Sequence, residues 1–221
     1  DLVVGQHLSL VTRFRHDGIV ALRLVDVEHD HVRIVSAEPP GPTLEETLAR
    51  TGRLAPDEAV ELVLDLLPAI EALHGLGLVH QDIRPGTIRR APDGRVVLDG
   101  VGLWPLAEAG LPLFPEEVAA EARLYKAPEQ MGIIGDAIGP ESDLYAIGAL
   151  LYRLLTDQTP FEAHREIDVL HRKLTASVLQ PSSLVAEVPA ALDEIVARLL
   201  RPRAVDRFRS TDALAQALER F

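Results

Sequence analysis

The stretch Leu78-Val79-His80-Gln81-Asp82-Ile83-Arg84-Pro85-Gly86-Thr87 decides how the chain is read. It joins a long helical run to a short hairpin. Upstream, Pro56-Asp57-Glu58 is a good helix start, and the apolar positions 60, 63, 66, 67, 70 and 73 follow a 3.6-residue period. Pro68 falls inside that run and predicts a kink or local strain. Downstream, Thr87–Arg90 and Arg95–Leu98 read as two strands, joined by Pro92-Asp93-Gly94, whose residues suit the φ angles of a tight turn. This hairpin, with its polar residues, lies within a larger helical part that a small strand-containing part precedes, an arrangement that suggests a cleft.

Further toward the N-terminus, Asp1 to Arg15 reads as a helix with Leu8, Val11 and Phe14 at helical spacing. Ile19–Val27 and Val32–Ser36 read as strands of a hairpin, with Glu28-His29-Asp30-His31 as its polar turn. Glu38-Pro39-Pro40-Gly41-Pro42 cannot be regular structure, because its prolines remove donors and fix φ, and it marks a lobe boundary. Thr43 caps a short helix with Glu45 and Glu46 in its first turn. Beyond the hairpin the chain reads as irregular to about Ile138. Tyr145–Leu155 is apolar nearly all round, the mark of a buried central helix. Amphipathic helices are expected at Glu166–Leu174, Ala190–Leu200 and Thr211–Arg220.

Composition narrows the function. The chain has 221 residues, 47% of them apolar, enough for a packed core of one domain or two lobes folding together. A net charge of −12 argues against nucleic acid and anionic membrane surfaces as partners. The absence of cysteine excludes disulfides, thiolate metal sites and cysteine nucleophiles. No apolar run approaches the ~18–20 residues of a membrane span; the richest, Leu144 to Leu155, carries Arg153. A cytoplasmic protein is expected. Because the sequence begins at Asp1 and its only methionine is Met131, we expect it to be an excerpt of a longer one.

The stretch from Leu78 to Thr87 resembles the catalytic loop of a protein kinase, H-R-D-x-K-P-x-N. The resemblance continues in order. Gly100-Val101-Gly102 stands at the D-F-G position and Ala127-Pro128-Glu129 matches A-P-E. Ser142-Asp143-Leu144-Tyr145-Ala146-Ile147-Gly148 resembles the start of the central kinase helix, and Asp206-Arg207-Phe208 the closing arginine segment. His16-Asp17-Gly18-Ile19-Val20 looks like the turn into the fourth strand. It covers essentially the whole chain and is closest to bacterial Ser/Thr kinases. It implies an α+β kinase-like fold. Residues 1–40 would form a partial, strand-poor N-lobe (end of the third helix, hairpin and hinge), and 41–221 a mostly helical C-lobe.

Carried over residue by residue, the resemblance implies a degenerate site. Asp82 takes the catalytic-base position, with Arg84 where the family has lysine. Gly100 replaces the metal-binding aspartate and Thr87 the metal-binding asparagine, so no metal is expected. Asp99 lies one residue early, and on a strand a one-residue slip points a side chain the opposite way. The only lysines, Lys126 and Lys173, do not suit the phosphate-binding role, and the helix glutamate that would pair such a lysine is replaced by His7. At the hinge, Ser36 is the gatekeeper, Ala37 follows it, and Pro39 removes the N–H that would meet adenine. Gln81 replaces the arginine that would receive a phosphorylated activation segment, and no serine or threonine lies between Gly102 and Ala127. His80, Glu129, Asp143 and Arg207 keep scaffold roles: His80 anchors the loop, Asp143 accepts its backbone N–H groups, and Glu129 pairs with Arg207. His29 and His31 read as a solvated pair. The activation region, with Pro105, Pro112, Pro115, Leu106, Leu111, Leu113 and Phe114, is unusually apolar, suiting either packing in its own cleft or partner docking.

The expected function is therefore a catalytically inactive pseudokinase domain, a scaffold or allosteric regulator that binds another signalling protein. ATP and magnesium are not expected to bind in the usual way, and oligomeric state is left open. The alternatives are a divergent Ser/Thr kinase using Asp82 and Asp99, and a nucleotide or small-ligand sensor without turnover.

Overall fold

A computed structural model describes residues 9–28, 31–108, 113–163, 165–175 and 177–221. Residues 9–13 form a helical stretch, α1, and Val11 and Phe14 turn inward to the core. Strands β1 (Leu22–Glu28) and β2 (His31–Ser36) pair antiparallel. β1 begins later than the apolar run from Ile19 suggests. Ile19 instead bridges Leu98, with Val20 N–H donating to the Leu98 carbonyl and Leu98 N–H to that of Gly18, both at 2.9 Å. The register slips between Leu22↔Ser36 and Leu24↔Val35, a bulge that breaks simple alternation.

After the proline-rich connector, helix α2 (Leu44–Thr51) starts on a full capping box. Thr43 Oγ1 accepts from Glu46 N–H at 3.1 Å, and Glu46 Oε2 accepts from Thr43 N–H at 2.9 Å. Helix α3 (Pro56–His74) runs through Pro68 without a break. Pro68 faces solvent, where its missing N–H is cheapest.

The short antiparallel pair β3 (Ile88–Arg90) and β4 (Val96–Leu98) follows the polar loop. The stretch expected to be irregular contains helices α4 (Trp104–Glu108) and α5 (Glu116–Tyr125) and a 3₁₀ turn over Pro128–Met131. Helix α6 (Pro140–Thr156) is buried on nearly every side, and α7 (Glu166–Thr175), α8 (Pro181–Leu184), α9 (Ala190–Leu199) and α10 (Thr211–Leu218) complete the chain.

The core lies between α3, α6, α9 and α10. Gly148 sets the α6–α9 crossing, since a Cβ there would stand 2.5 Å from Leu199 Cβ. No helix among the described residues is long and apolar enough to cross a membrane. The fold is α+β, strand-poor at the N-terminal end and helical beyond it. His7 and His29 lie outside the described residues.

Candidate functional site

The loop from Leu78 to Thr87 is held from below by the first turns of α6. Asp143, wholly buried, accepts the N–H groups of His80 and Gln81 at 2.9 Å each and contacts His74 Nε2 at 2.8 Å. These bonds bend Gln81 into the left-handed region (φ 69°), a conformation a non-glycine residue keeps only when its surroundings impose it. Gln130 Nε2 adds a bond to the Gln81 carbonyl at 3.0 Å. His80 accepts the Asp82 N–H on Nδ1 (3.2 Å), which leaves Nε2–H to donate to the Asp99 carbonyl at 3.1 Å. Burial holds the His80 pKa below the usual histidine value, against the pull of Asp143 and Asp82, so the ring is neutral.

A second brace ties the activation segment to the lower helices. Arg207 donates to both oxygens of Glu129, at 2.6 and 2.8 Å, and both side chains are 0% exposed. The remaining guanidinium donors go to the carbonyls of Arg201, Glu141 and Pro202, and Ser142 donates to Glu129 at 2.8 Å. Every strong group of this buried pair is satisfied, as its desolvation demands.

Above the loop the polar groups turn upon one another. Arg84 Nε meets Asp82 Oδ1 at 3.0 Å, and its Nη1 meets Glu121 Oε2 of α5 at 3.0 Å. Thr87 Oγ1 lies 2.7 Å from the Asp82 carbonyl and accepts the Arg84 N–H at 3.2 Å, so its hydroxyl braces the loop. Between Gln81, Asp82 and Ile83 on one side and Ala122, Tyr125 and Lys126 on the other there is no room for a water molecule. α5 therefore closes directly over Asp82, which is 5% exposed. Burial raises the Glu121 pKa, opposed by Arg84, and the same cause raises Tyr125.

Gly100 follows β4 in the left-handed region (φ 81°), and a Cβ built on it would face the Thr87 methyl at 3.8 Å. Positions 87 and 100 thus look at each other, with a methyl on one and a hydrogen on the other. Asp99 is engaged elsewhere: Oδ1 accepts the Gly100 N–H at 2.7 Å and Oδ2 faces Arg89 Nε at 3.4 Å. Among the described residues no group of three His, Asp or Glu side chains converges to hold a metal ion. At the hinge Ser36 ends β2, Ala37 N–H is taken by the Ala21 carbonyl at 2.8 Å, and Pro39 has no N–H to offer.

Two parts of the site escape sequence reasoning. Glu121 lies 37 residues from Arg84, and nothing in the spacing pairs them. The other is an aromatic clasp: Trp104 stacks on Phe114 at 5.1 Å, and Lys126 Nζ lies 3.6 Å from the Trp104 ring centroid. The apolar character of the activation region was the only signal for it.

The protein kinase domain profile matches residues 3–218, and the chain belongs to that family. It is 32% identical over 209 residues to the serine/threonine-protein kinase PknL of Mycobacterium tuberculosis, covering 95% of this chain and 52% of PknL. It is 30% identical over 181 residues to PksC of Streptomyces coelicolor, covering 81% of this chain and 32% of PksC. PkaA of the same organism is 33% identical over 214 residues, 95% of this chain and 38% of PkaA. The chain thus spans about half or less of these relatives' length, and they place it among bacterial Ser/Thr kinase-like domains.

Proposed function

We propose that this domain transfers no phosphate and acts as a scaffold or allosteric regulator in bacterial signalling, with another signalling protein as its partner and the cytoplasm as its setting. The facing pair Gly100 and Thr87 carries the reading. A hard divalent cation bridging nucleotide phosphates needs oxygen ligands, carboxylate above all. Glycine supplies none, and the Thr87 hydroxyl is committed to the loop backbone. The residues present do not fit a nucleotide-bound magnesium ion.

Two features lend support. Asp82 is paired with Arg84 and only 5% exposed, with α5 packed against its loop through Arg84 and Glu121. Pro39 removes the hinge donor expected to meet adenine.

A second reading, a divergent Ser/Thr kinase, is favoured by the relatives, which bear the name of serine/threonine-protein kinases, and by the presence of Asp82 and Asp99.

A thermal-shift titration of the full natural chain with ATP, with and without magnesium, tests the choice alongside a radiolabelled phosphate-transfer assay. A ligand at 100 times its Kd stabilises a fold by ~2.7 kcal/mol, a plain rise in Tm. The inactive reading expects neither shift nor label at millimolar ATP. A magnesium-dependent shift with label establishes the kinase, and a shift indifferent to magnesium and without label establishes a nucleotide sensor.

A further inference from the structure

The segment Arg201-Pro202-Arg203-Ala204-Val205-Asp206-Arg207-Phe208-Arg209 runs against the charge of the whole chain. Five of the 22 lysines and arginines fall between positions 198 and 209, where Asp206 is the only acidic residue, although the net charge is −12. Arg207 turns inward and donates to the carbonyls of Arg201 at 2.8 Å and Pro202 at 2.7 Å. Those bonds, with a 3₁₀ turn over Ala204–Asp206, fix the backbone and leave Arg201, Arg203 and Arg209 exposed. The Asp136 carboxylate answers Arg203 at 3.6 Å; among the described residues none is paired with Arg201 or Arg209.

Apolar side chains share this surface. Asp136 also accepts the Ala204 N–H at 3.4 Å, which lays the approach to α6 alongside the turn. Val205, next to Ala204, is 51% exposed, and Ile138, just past Asp136, is 39% exposed.

We propose that this surface docks an acidic, amphipathic segment of a protein partner, whose carboxylates meet Arg201, Arg203 and Arg209 while its apolar residues cover Val205 and Ile138. A pinned loop has little conformational freedom left to lose on binding, which favours such docking. The chain as a whole repels an acidic partner and this patch attracts it, so the field selects where the partner lands. A nucleic acid fits less well, since its phosphates would engage the arginines and leave the apolar centre uncovered. Arg207 also holds Glu129, so the docked segment sits one guanidinium away from the activation segment. The proposal gives the chemistry of the signalling partner in the scaffold reading, and rests on that reading for there being a partner, not for the loss of phosphate transfer.

A fluorescein-labelled peptide of glutamate and leucine, titrated with the full natural chain and read by fluorescence anisotropy, tests the surface. Binding should weaken as salt rises. Arg201→Glu combined with Arg203→Glu and Arg209→Glu should weaken it ~tenfold or more. Arg13→Glu combined with Arg23→Glu and Arg90→Glu makes the same charge change at exposed positions of α1, β1 and β3, and should stay near wild type. Val205→Ser should weaken binding ~threefold without altering its salt dependence. If circular dichroism shows the first triple variant unfolded, Arg201→Ala and Arg209→Ala singly carry the test, each with a measurable loss. No binding by wild type, or equal loss in the two triple variants, overturns the proposal. Equal or tighter binding of single-stranded DNA or phosphatidylglycerol vesicles also overturns it and assigns the patch to a polyanion. A dimer in sedimentation that Arg201→Glu dissolves overturns it in favour of a second copy. The ATP titration and label assay decide catalysis separately: label transfer with intact peptide binding retires the inactive reading and leaves this surface standing.

Discussion

Below the catalytic loop, polar groups reach across long stretches of chain; above it, apart from Arg84 with Glu121, they close upon their neighbours. Asp143 gathers donors from His74, His80 and Gln81, and Arg207 binds Glu129 across 78 residues. On the other side Asp82 is held by Arg84, two residues away, Thr87 by the backbone of its own turn, and Asp99 by the next N–H. The lower network braces the loop through the chain's own side chains and backbone, so a well-formed loop is not by itself evidence of chemistry. The upper one leaves no carboxylate free where a metal would need it. Order and reactivity are separable properties of the same ten residues.

The largest effect should come from the lower network. Arg207→Met removes the guanidinium and strands the fully buried Glu129 carboxylate, which should cost ~3–5 kcal/mol of folding stability. Urea unfolding of wild type and variant measures it directly. A loss under ~1 kcal/mol would mean that Glu129 relaxes onto Ser142 or solvent, and the contrast between the two networks would fail.

A smaller effect is expected on the upper side. Gly100→Asp puts a side chain where the φ of 81° disfavours one, yet the nearest neighbour of its Cβ would be the Thr87 methyl at 3.8 Å. The cost is then backbone strain without a clash, ~1 kcal/mol, since aspartate tolerates the left-handed region better than most residues. Thermal melting reads the loss. A drop as large as that of Arg207→Met would show the upper network to be as integral to the fold as the lower.

Much of this contrast was legible in the sequence, for a physical reason. Capping boxes, turn residues and helical periodicity are local, so Thr43 with Glu46, Pro92-Asp93-Gly94 and the apolar run of α6 announce themselves. The place of Gly100 came from the resemblance to the kinase motif, and the β3–β4 pair sets its distance from the loop. Helix α5 was hidden: the prolines before it and its alanine-rich, weakly patterned sequence resemble a connector, and tertiary contacts through Glu121 and Lys173 hold it. Those contacts join a guanidinium to a distant carboxylate and an amine to backbone carbonyls. Carbonyl acceptors have no sequence signature, so a lysine set aside because its position does not suit the phosphate-binding role proved to be buried on three of them. Pro68 misled in the other direction, since a proline on an exposed helix face loses one hydrogen bond without bending the core.

The smallest predicted effect is the most discriminating. Asp99 is the one carboxylate next to the empty position at Gly100, and the kinase reading needs it as a metal ligand. In the structure its Oδ1 accepts the Gly100 N–H and its Oδ2 faces Arg89 at 3.4 Å, with both side chains about a quarter exposed. Asp99→Asn preserves the Oδ1 acceptor and removes only a half-solvated ion pair, worth ~0.2–1 kcal/mol before screening. Melting temperature should therefore barely move, and the response to ATP with magnesium should match wild type. If Asp99 does turn inward to hold a metal, the same substitution abolishes a magnesium-dependent shift that wild type displays, while leaving the fold intact. A change confined to the ligand response would bring the upper network back into chemistry; a change in neither quantity leaves Asp99 as a turn residue, fixed by its neighbour's N–H.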